Sequence, residues 1–328
     1  MISIKNLSRS FGAIKAVDDI SFNIQDKEIL GFLGPNGAGK TTTLRMLVGY
    51  LQPSSGSIEL DGKSIFADAI ASSRQIGYLP EQNPLYEDMT VAEALAYLAD
   101  LRGLKKTYFQ ERRDFVVQNC GLAEVLHQRI GTLSKGYRQR AGFAQAILHD
   151  PRILILDEPT SGLDPNQIME IRDLIRSLGK EKMVILSSHI MQEVQALCDR
   201  VIIINKGKII VDDQKENLGN YLDKSAMLYL EVEGEGIDFT DFVLSHPELE
   251  ISSETLDAKH SRLSLSIPAE SELRQELARF VNEKGWLVLE MRTEKQSLEQ
   301  IFHELTGDVA EPLVEEDVQP ETQTEEQP

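Results

Sequence analysis

The chain has 328 residues, 41% of them hydrophobic, enough for one large domain or two of ordinary size with packed cores. Its 34 Lys and Arg against 53 Asp and Glu leave a formal net charge of -19, the wrong sign for a protein whose main partner is nucleic-acid phosphate. No apolar run approaches the roughly 18 residues that a membrane-spanning helix needs, and Met1 to Asn6 reads as the start of a strand, not as a signal-peptide core. The two cysteines, Cys120 and Cys198, lack CxxC spacing and fall in apolar helical surroundings, so they read as reduced core thiols suited to a cytosolic protein.

Along the chain, Ile29 to Leu33 is the first of four short continuous apolar runs, the others being Ile153 to Leu156, Val184 to Leu186 and Val201 to Ile204. Runs of this kind are expected of parallel strands covered on both faces by helices, which predicts an α/β core. Directly after the first run stands Gly34-Pro35-Asn36-Gly37-Ala38-Gly39-Lys40-Thr41, the pattern GxxxxGK[ST], with a helix expected from Lys40 and Thr42 in its first turn. Glycines let the backbone curl its N–H groups around phosphates, and the helix adds the positive end of its dipole. Lys40 is expected to reach the β and γ phosphates of a nucleotide such as ATP, and the Thr41 hydroxyl to ligate Mg²⁺.

Thr90 and Glu93 form a capping box ahead of a helix with Val91, Leu95 and Leu98 on one face. Ile153 to Glu158 then places two carboxylates at the end of a buried strand, the ligand-binding edge of a parallel sheet. Asp157 is expected to hold the metal and Glu158 to polarise an attacking water as general base. Asp164 caps a second helix with Pro165 at its first position, apolar Ile168, Ile171, Ile175 and Leu178, and Gly179 as its stop. Asn205, Lys206 and Gly207 read as a tight hairpin closing this unit, with a boundary near residue 215.

Beyond that boundary, residues 216–306 predict a small α+β domain of about ninety residues. Strands are expected at Leu228 to Val232, Arg262 to Ile267 and Trp286 to Glu290, with helices at Glu272 to Glu283 and Ser297 to Leu305. From 307 to 328 there are eight acidic residues and no basic ones, a composition expected to stay disordered.

Glu158 is followed by Pro159-Thr160-Ser161-Gly162-Leu163-Asp164, and upstream lies Leu133-Ser134-Lys135-Gly136-Tyr137. With these motifs the chain, over residues 1 to about 215, resembles ABC transporter ATPases. The resemblance implies a P-loop NTPase head with a helical subdomain at about 82–150. It also implies ATP and Mg²⁺ as cofactors, catalytic roles for Lys40, Glu158 and His189, and two heads meeting around shared ATP. Leu133 to Tyr137 stands where the family has LSGGQ, departing from it at Lys135 and Tyr137. There Ser134 and Gly136 would grip the γ-phosphate of ATP on the opposite subunit, although Ser134 also suits a simple helix cap.

His189 matches the family's switch histidine. Phe11 takes the aromatic place that stacks on adenine, or else is a core ring. Ser161 to Asp164 match the loop that communicates between the two sites. At the glutamine-loop position, Glu81 and Gln82 both remain candidates. Asn83 to Thr90 is where such a head meets its membrane permease, encoded separately, unless that loop merely packs on its own domain. The head would then sit in the cytoplasm, peripheral to the inner face of the membrane. Wording around Tyr78 to Thr90 and Leu133 to Pro151 is similar to ABC-2 type exporters, in particular their gliding-motility-associated branch. The competing reading is a soluble ABC-type nucleotide switch acting on ribosome or DNA; one head, no heptad run and acidic balance weigh against it.

Overall fold

The computed structural model describes residues 1–221, 226–246, 249, 251–257, 259–267 and 272–295. The helix expected from Ser297 and the acidic tail lie outside these residues. In chain order the regular elements are β1 (Ile2–Phe11), β2 (Ile14–Ile24), β3 (Ile29–Leu33), α1 (Lys40–Leu47), β4 (Ser55–Leu60), β5 (Lys63–Ser64), α2 (Ala69–Gln75) and β6 (Ile76–Leu79). Then come α3 (Val91–Leu101), α4 (Lys106–Asn119), α5 (Lys135–Ile147), β7 (Ile153–Asp157), α6 (Pro165–Gly179), β8 (Met183–Ser188), α7 (Met191–Leu197), β9 (Arg200–Asn205) and β10 (Lys208–Gln214). The remainder is β11 (Ala226–Glu233), α8 (Thr240–Ser245), β12 (Ile251–Thr255), β13 (His260–Ile267), α9 (Leu273–Glu283) and β14 (Leu287–Lys295).

The apolar runs assemble a six-stranded sheet in the order β10-β9-β3-β8-β7-β6, parallel from β9 to β6 with β10 antiparallel at the edge. Strands β3, β7 and β8 are buried along their whole lengths, which is why their sequences lack polar alternation. Their two-residue period still sorts side chains between two cores. Leu30, Phe32, Ile155, Ile185 and Ile202 face α1 and the antiparallel sheet β2-β1-β4-β5. Leu33, Leu156, Val184, Leu186 and Ile203 face the cluster that includes residues of α5, α6 and α7. All five parallel strands therefore end at one edge, and the segments after β3, β7 and β8 carry the residues of interest.

Helix ends follow their caps. Thr90 and Glu93 form the reciprocal capping box on α3, and the Asp164 carboxylate accepts from the Gln167 N–H at 2.9 Å with Pro165 at the first position of α6. Lys206 and Gly207 take φ of 47° and 79°, the two left-handed residues of a type I′ hairpin joining β9 to β10. Helix α6 ends at Gly179 as expected, but without a left-handed turn: Lys180 caps it in a right-handed conformation, and the missing Cβ of Gly179 makes room for the Ile29 side chain of β3. Helix α5 begins at Lys135, with Ser134 as its cap.

The C-terminal strands form a wholly antiparallel sheet, β12-β13-β11-β14, around their own apolar cluster of Leu228, Leu230, Val232, Leu263, Leu265, Leu277, Val281 and Trp286. With α8 and α9 in the two crossovers, this is a split βαββαβ unit of the ferredoxin-like kind. The sequence pattern missed α8, which is only six residues long, and β12, whose Ser252, Ser253 and Glu254 mask an edge strand.

Candidate nucleotide site

The loop between β3 and α1 takes its shape from Gly37 and Gly39, with φ of 79° and 110°, conformations that side-chain-bearing residues resist. Gly39 is doubly constrained, since an added Cβ would sit 2.5 Å from the Ala16 carbonyl oxygen. The hairpin after β9 braces this loop from behind. The Gly207 N–H donates to the Ala38 carbonyl at 2.9 Å, and the Gly207 carbonyl accepts from the Asp18 N–H at 2.8 Å.

Lys40 is 6% exposed and folds back on the loop, its Nζ donating to the Gly34 carbonyl at 2.6 Å and the Pro35 carbonyl at 3.3 Å. Burial pulls its ammonium below the usual lysine range, and the Glu158 carboxylate pulls the other way. On the far side, Asp157 is fully buried; its Oδ1 accepts from the Thr41 hydroxyl at 3.1 Å and the Ser187 hydroxyl at 2.6 Å. Ser187 also accepts from the Glu158 N–H at 3.0 Å, tying the ends of β7 and β8 together. Glu158 itself has a φ of 50°, a conformation that costs about 1–3 kcal/mol for a non-glycine residue. His189 follows β8 and brings Nδ1 to 2.9 Å from Glu158 Oε2.

These groups surround a cavity of about 470 Å³ lined by Pro35 to Thr42, Glu81, Glu158, Ser161 and His189, with Ala16 at its side. Buried Asp157 Oδ2 and Glu158 Oε1 have no hydrogen-bond donor. A hard cation at the Thr41–Asp157 pair and phosphate oxygens at the loop N–H groups fit these open valences.

Of the two glutamine-loop candidates, Glu81 lines this cavity with the phosphate loop, whereas Gln82 lines neighbouring cavities with Asn83 and Pro84. Phe11 lies outside the cavity, 47% exposed, with the Arg9 guanidinium 4.8 Å from its ring centre. Ser134, Gly136 and Asp164 also lie outside it. The Ser134 hydroxyl accepts from the Tyr137 N–H at 3.4 Å, and Gly136 packs against Gln167, so the N-termini of α5 and α6 adjoin. Sequence reasoning passed over Ser187 and the bracing role of Gly207. Two serines closing an otherwise apolar buried strand were the available signal for the first, because buried hydroxyls need partners.

A phosphate loop, a strand-end carboxylate pair and a histidine converging on one cavity define a P-loop nucleotide-binding head. Over residues 17–161 the chain matches the family model described as ABC transporter. It is 36% identical over 318 residues to the uncharacterized ABC transporter ATP-binding protein YhcH of Bacillus subtilis (strain 168), spanning 95% of this chain and 97% of that one. It is 34% identical over 309 residues to the bacitracin transport ATP-binding protein BcrA of Bacillus licheniformis, spanning 94% and 97%. Among solved structures, the dimeric bacterial ABC transporter cassette MJ0796 has the same fold, with a TM-score of 0.61 at 22% identity over 66% of this chain and 99% of that one. The chain belongs to the ATP-binding proteins of ABC transporters.

Proposed function

We propose that this chain binds ATP with Mg²⁺, hydrolyses it, and works as a pair of heads that drives a separately encoded membrane permease of the ABC-2 exporter type, resembling the gliding-motility-associated branch. The observation that carries the hydrolytic reading is one cavity lined by Lys40, Thr41, Glu158 and His189, with Asp157 buried behind it on the Thr41 hydroxyl. Mg²⁺, held by Thr41 and Asp157, supplies charge neutralisation at the phosphates. Lys40 leaves the Gly34 and Pro35 carbonyls to meet the β and γ phosphates, and the loop N–H groups fix their position. Glu158 accepts the proton of the attacking water, and His189, bonded to the same carboxylate, orients that water.

Ser134 and Gly136 stand outside the cavity at the N-terminus of α5, where they would complete the ATP site of a second head, as would Asp164. The dimeric state of the MJ0796 cassette supports a pair as the working unit. A transport role finds support in BcrA's name.

For the permease we propose the cleft of about 700 Å³ beside the loop after β6, lined by Arg45, Tyr50, Pro84, Leu98 and Arg102 among others. Beside it Tyr86 stacks edge-to-face on Tyr97 at 5.4 Å, and Tyr50 is 80% exposed, an unusual apolar surface on so acidic a protein. Among the described residues no helix is long and apolar enough to cross a membrane, so membrane association would come through that partner, on its cytoplasmic side.

Titration of the purified chain with ATP and Mg²⁺, alongside Lys40→Ala, tests the reading. Saturable binding and phosphate release that both vanish in the variant are expected; unchanged binding in Lys40→Ala sinks it.

A further inference from the structure

His189 is 47% exposed, so packing does not fix it; its orientation depends on the two-residue link between β8 and α7 and on its bond to Glu158. That link is held from behind by a buried carboxylate that the hydrolytic reading leaves unused. Glu193, in the first turn of α7, is 3% exposed, and its Oε2 accepts from the Ser188 hydroxyl at 2.8 Å. The same hydroxyl accepts from the Ile190 N–H at 3.0 Å, and the Glu193 N–H donates to the Ile190 carbonyl at 3.2 Å. The residues on both sides of His189 are thus pinned by one side chain and its backbone.

A buried carboxylate is retained only with partners, and the second one here is informative. Arg172 Nη2 stands 3.9 Å from Glu193 Oε1. Arg172 lies on α6, whose N-cap is Asp164. Its Nε is buried without a hydrogen-bond acceptor, so the guanidinium has capacity to spare where it meets Glu193.

We propose that Glu193 is a positioning residue for hydrolysis: through Ser188 it sets the loop that presents His189 to Glu158, and through Arg172 it ties that loop to α6 and the Ser161–Asp164 segment. The proposal rests on the hydrolytic reading given above. The two strand-end serines divide the labour, Ser187 fixing the carboxylate pair and Ser188 fixing the histidine that meets it.

The test is a double-mutant cycle with Glu193→Gln, Glu193→Ala and His189→Ala, read by single-turnover ATP hydrolysis together with ATP affinity. Glu193→Ala is expected to slow turnover roughly tenfold, the scale of one lost hydrogen bond to a charged group, with ATP affinity within about twofold. Glu193→Gln, which keeps an acceptor for Ser188, is expected to recover most of that loss. In the His189→Ala background, Glu193→Ala is expected to add little, because the group it positions is gone. Multiplying losses in that background, or an affinity loss matching the turnover loss, would overturn the positioning role while leaving hydrolysis by Glu158 intact. Absence of turnover in the unmodified protein would overturn both readings.

Discussion

Lys40 Nζ and Glu158 Oε1 lie 3.6 Å apart, and both side chains are shut off from solvent. The two charges that the proposed reaction needs at opposite ends of the γ-phosphate thus face each other directly. A triphosphate gives the lysine a better partner and leaves the carboxylate facing the water it must activate.

Glu158→Gln keeps the shape of this pair but removes its base. Turnover is expected to fall by about 10²–10⁴-fold, the usual share of general base catalysis, while ATP binding persists. Phosphate release and equilibrium nucleotide binding, measured on the same preparation, separate the two effects. ATP-dependent dimers on size exclusion should survive the substitution as well.

In the stacking role that the family resemblance implies, Phe11 would offer adenine a ring backed by Arg9, with no side-chain donor of its own to read the base edge. Phe11→Ala is expected to weaken ATP binding by about 1–3 kcal/mol, the range for base stacking on an aromatic ring. Turnover at saturating ATP should change little. Comparable loss in kcat, with affinity unchanged, would return Phe11 to a structural role.

His149 carries a pH signature. Its ring bonds the Ile76 carbonyl through Nε2 at 3.2 Å and buries Nδ1 without a partner. Burial first, and then the Arg102 guanidinium, push its pKa down from 6.5 to about 4. The unfolded chain therefore takes up a proton that the folded chain refuses, so stability contributed by the neutral ring is lost as pH falls from about 6.5 to about 4. Roughly 3 kcal/mol is at stake. Urea unfolding across that window should show a shallower pH dependence in His149→Gln than in the unmodified protein.

Gly142 on α5 has no Cβ because the Asn83 amide occupies that place while donating to the Arg138 carbonyl at 3.1 Å. Gly142→Ala is expected to displace the loop holding Glu81 to Tyr86 and to cost about 1–3 kcal/mol of stability. ATP binding should persist with reduced turnover, measured beside thermal unfolding. An unshifted Tm with full activity would show that the loop is not anchored there.

Much of this architecture was legible in short stretches of sequence. The phosphate loop announces itself because its glycines, lysine and threonine each answer a local backbone or ligand demand, and Thr90, Asp164 and the Lys206–Gly207 hairpin follow from capping and turn chemistry within a few residues. What stayed hidden depends on contacts between distant segments. Glu81, not Gln82, faces the cavity because Asn83 is pinned to α5, some 55 positions away. Gly179 does end α6, but the reason it is glycine, the Ile29 side chain packed against it from 150 positions away, could not be read locally. Glu193 looked like an ordinary charge on a helical face, since nothing near it in sequence says that it is buried against Ser188.

The hairpin that braces the phosphate loop also sets an order of events during synthesis. Ala16, Asp18 and Ala38 are made early, yet the strut that secures them is Gly207, nearly 170 residues downstream of Ala38. A ribosome that has released only the first 200 residues therefore holds the whole loop without the last piece that braces it. That strut is long-range in sequence and can be placed only once β9 lies beside β3.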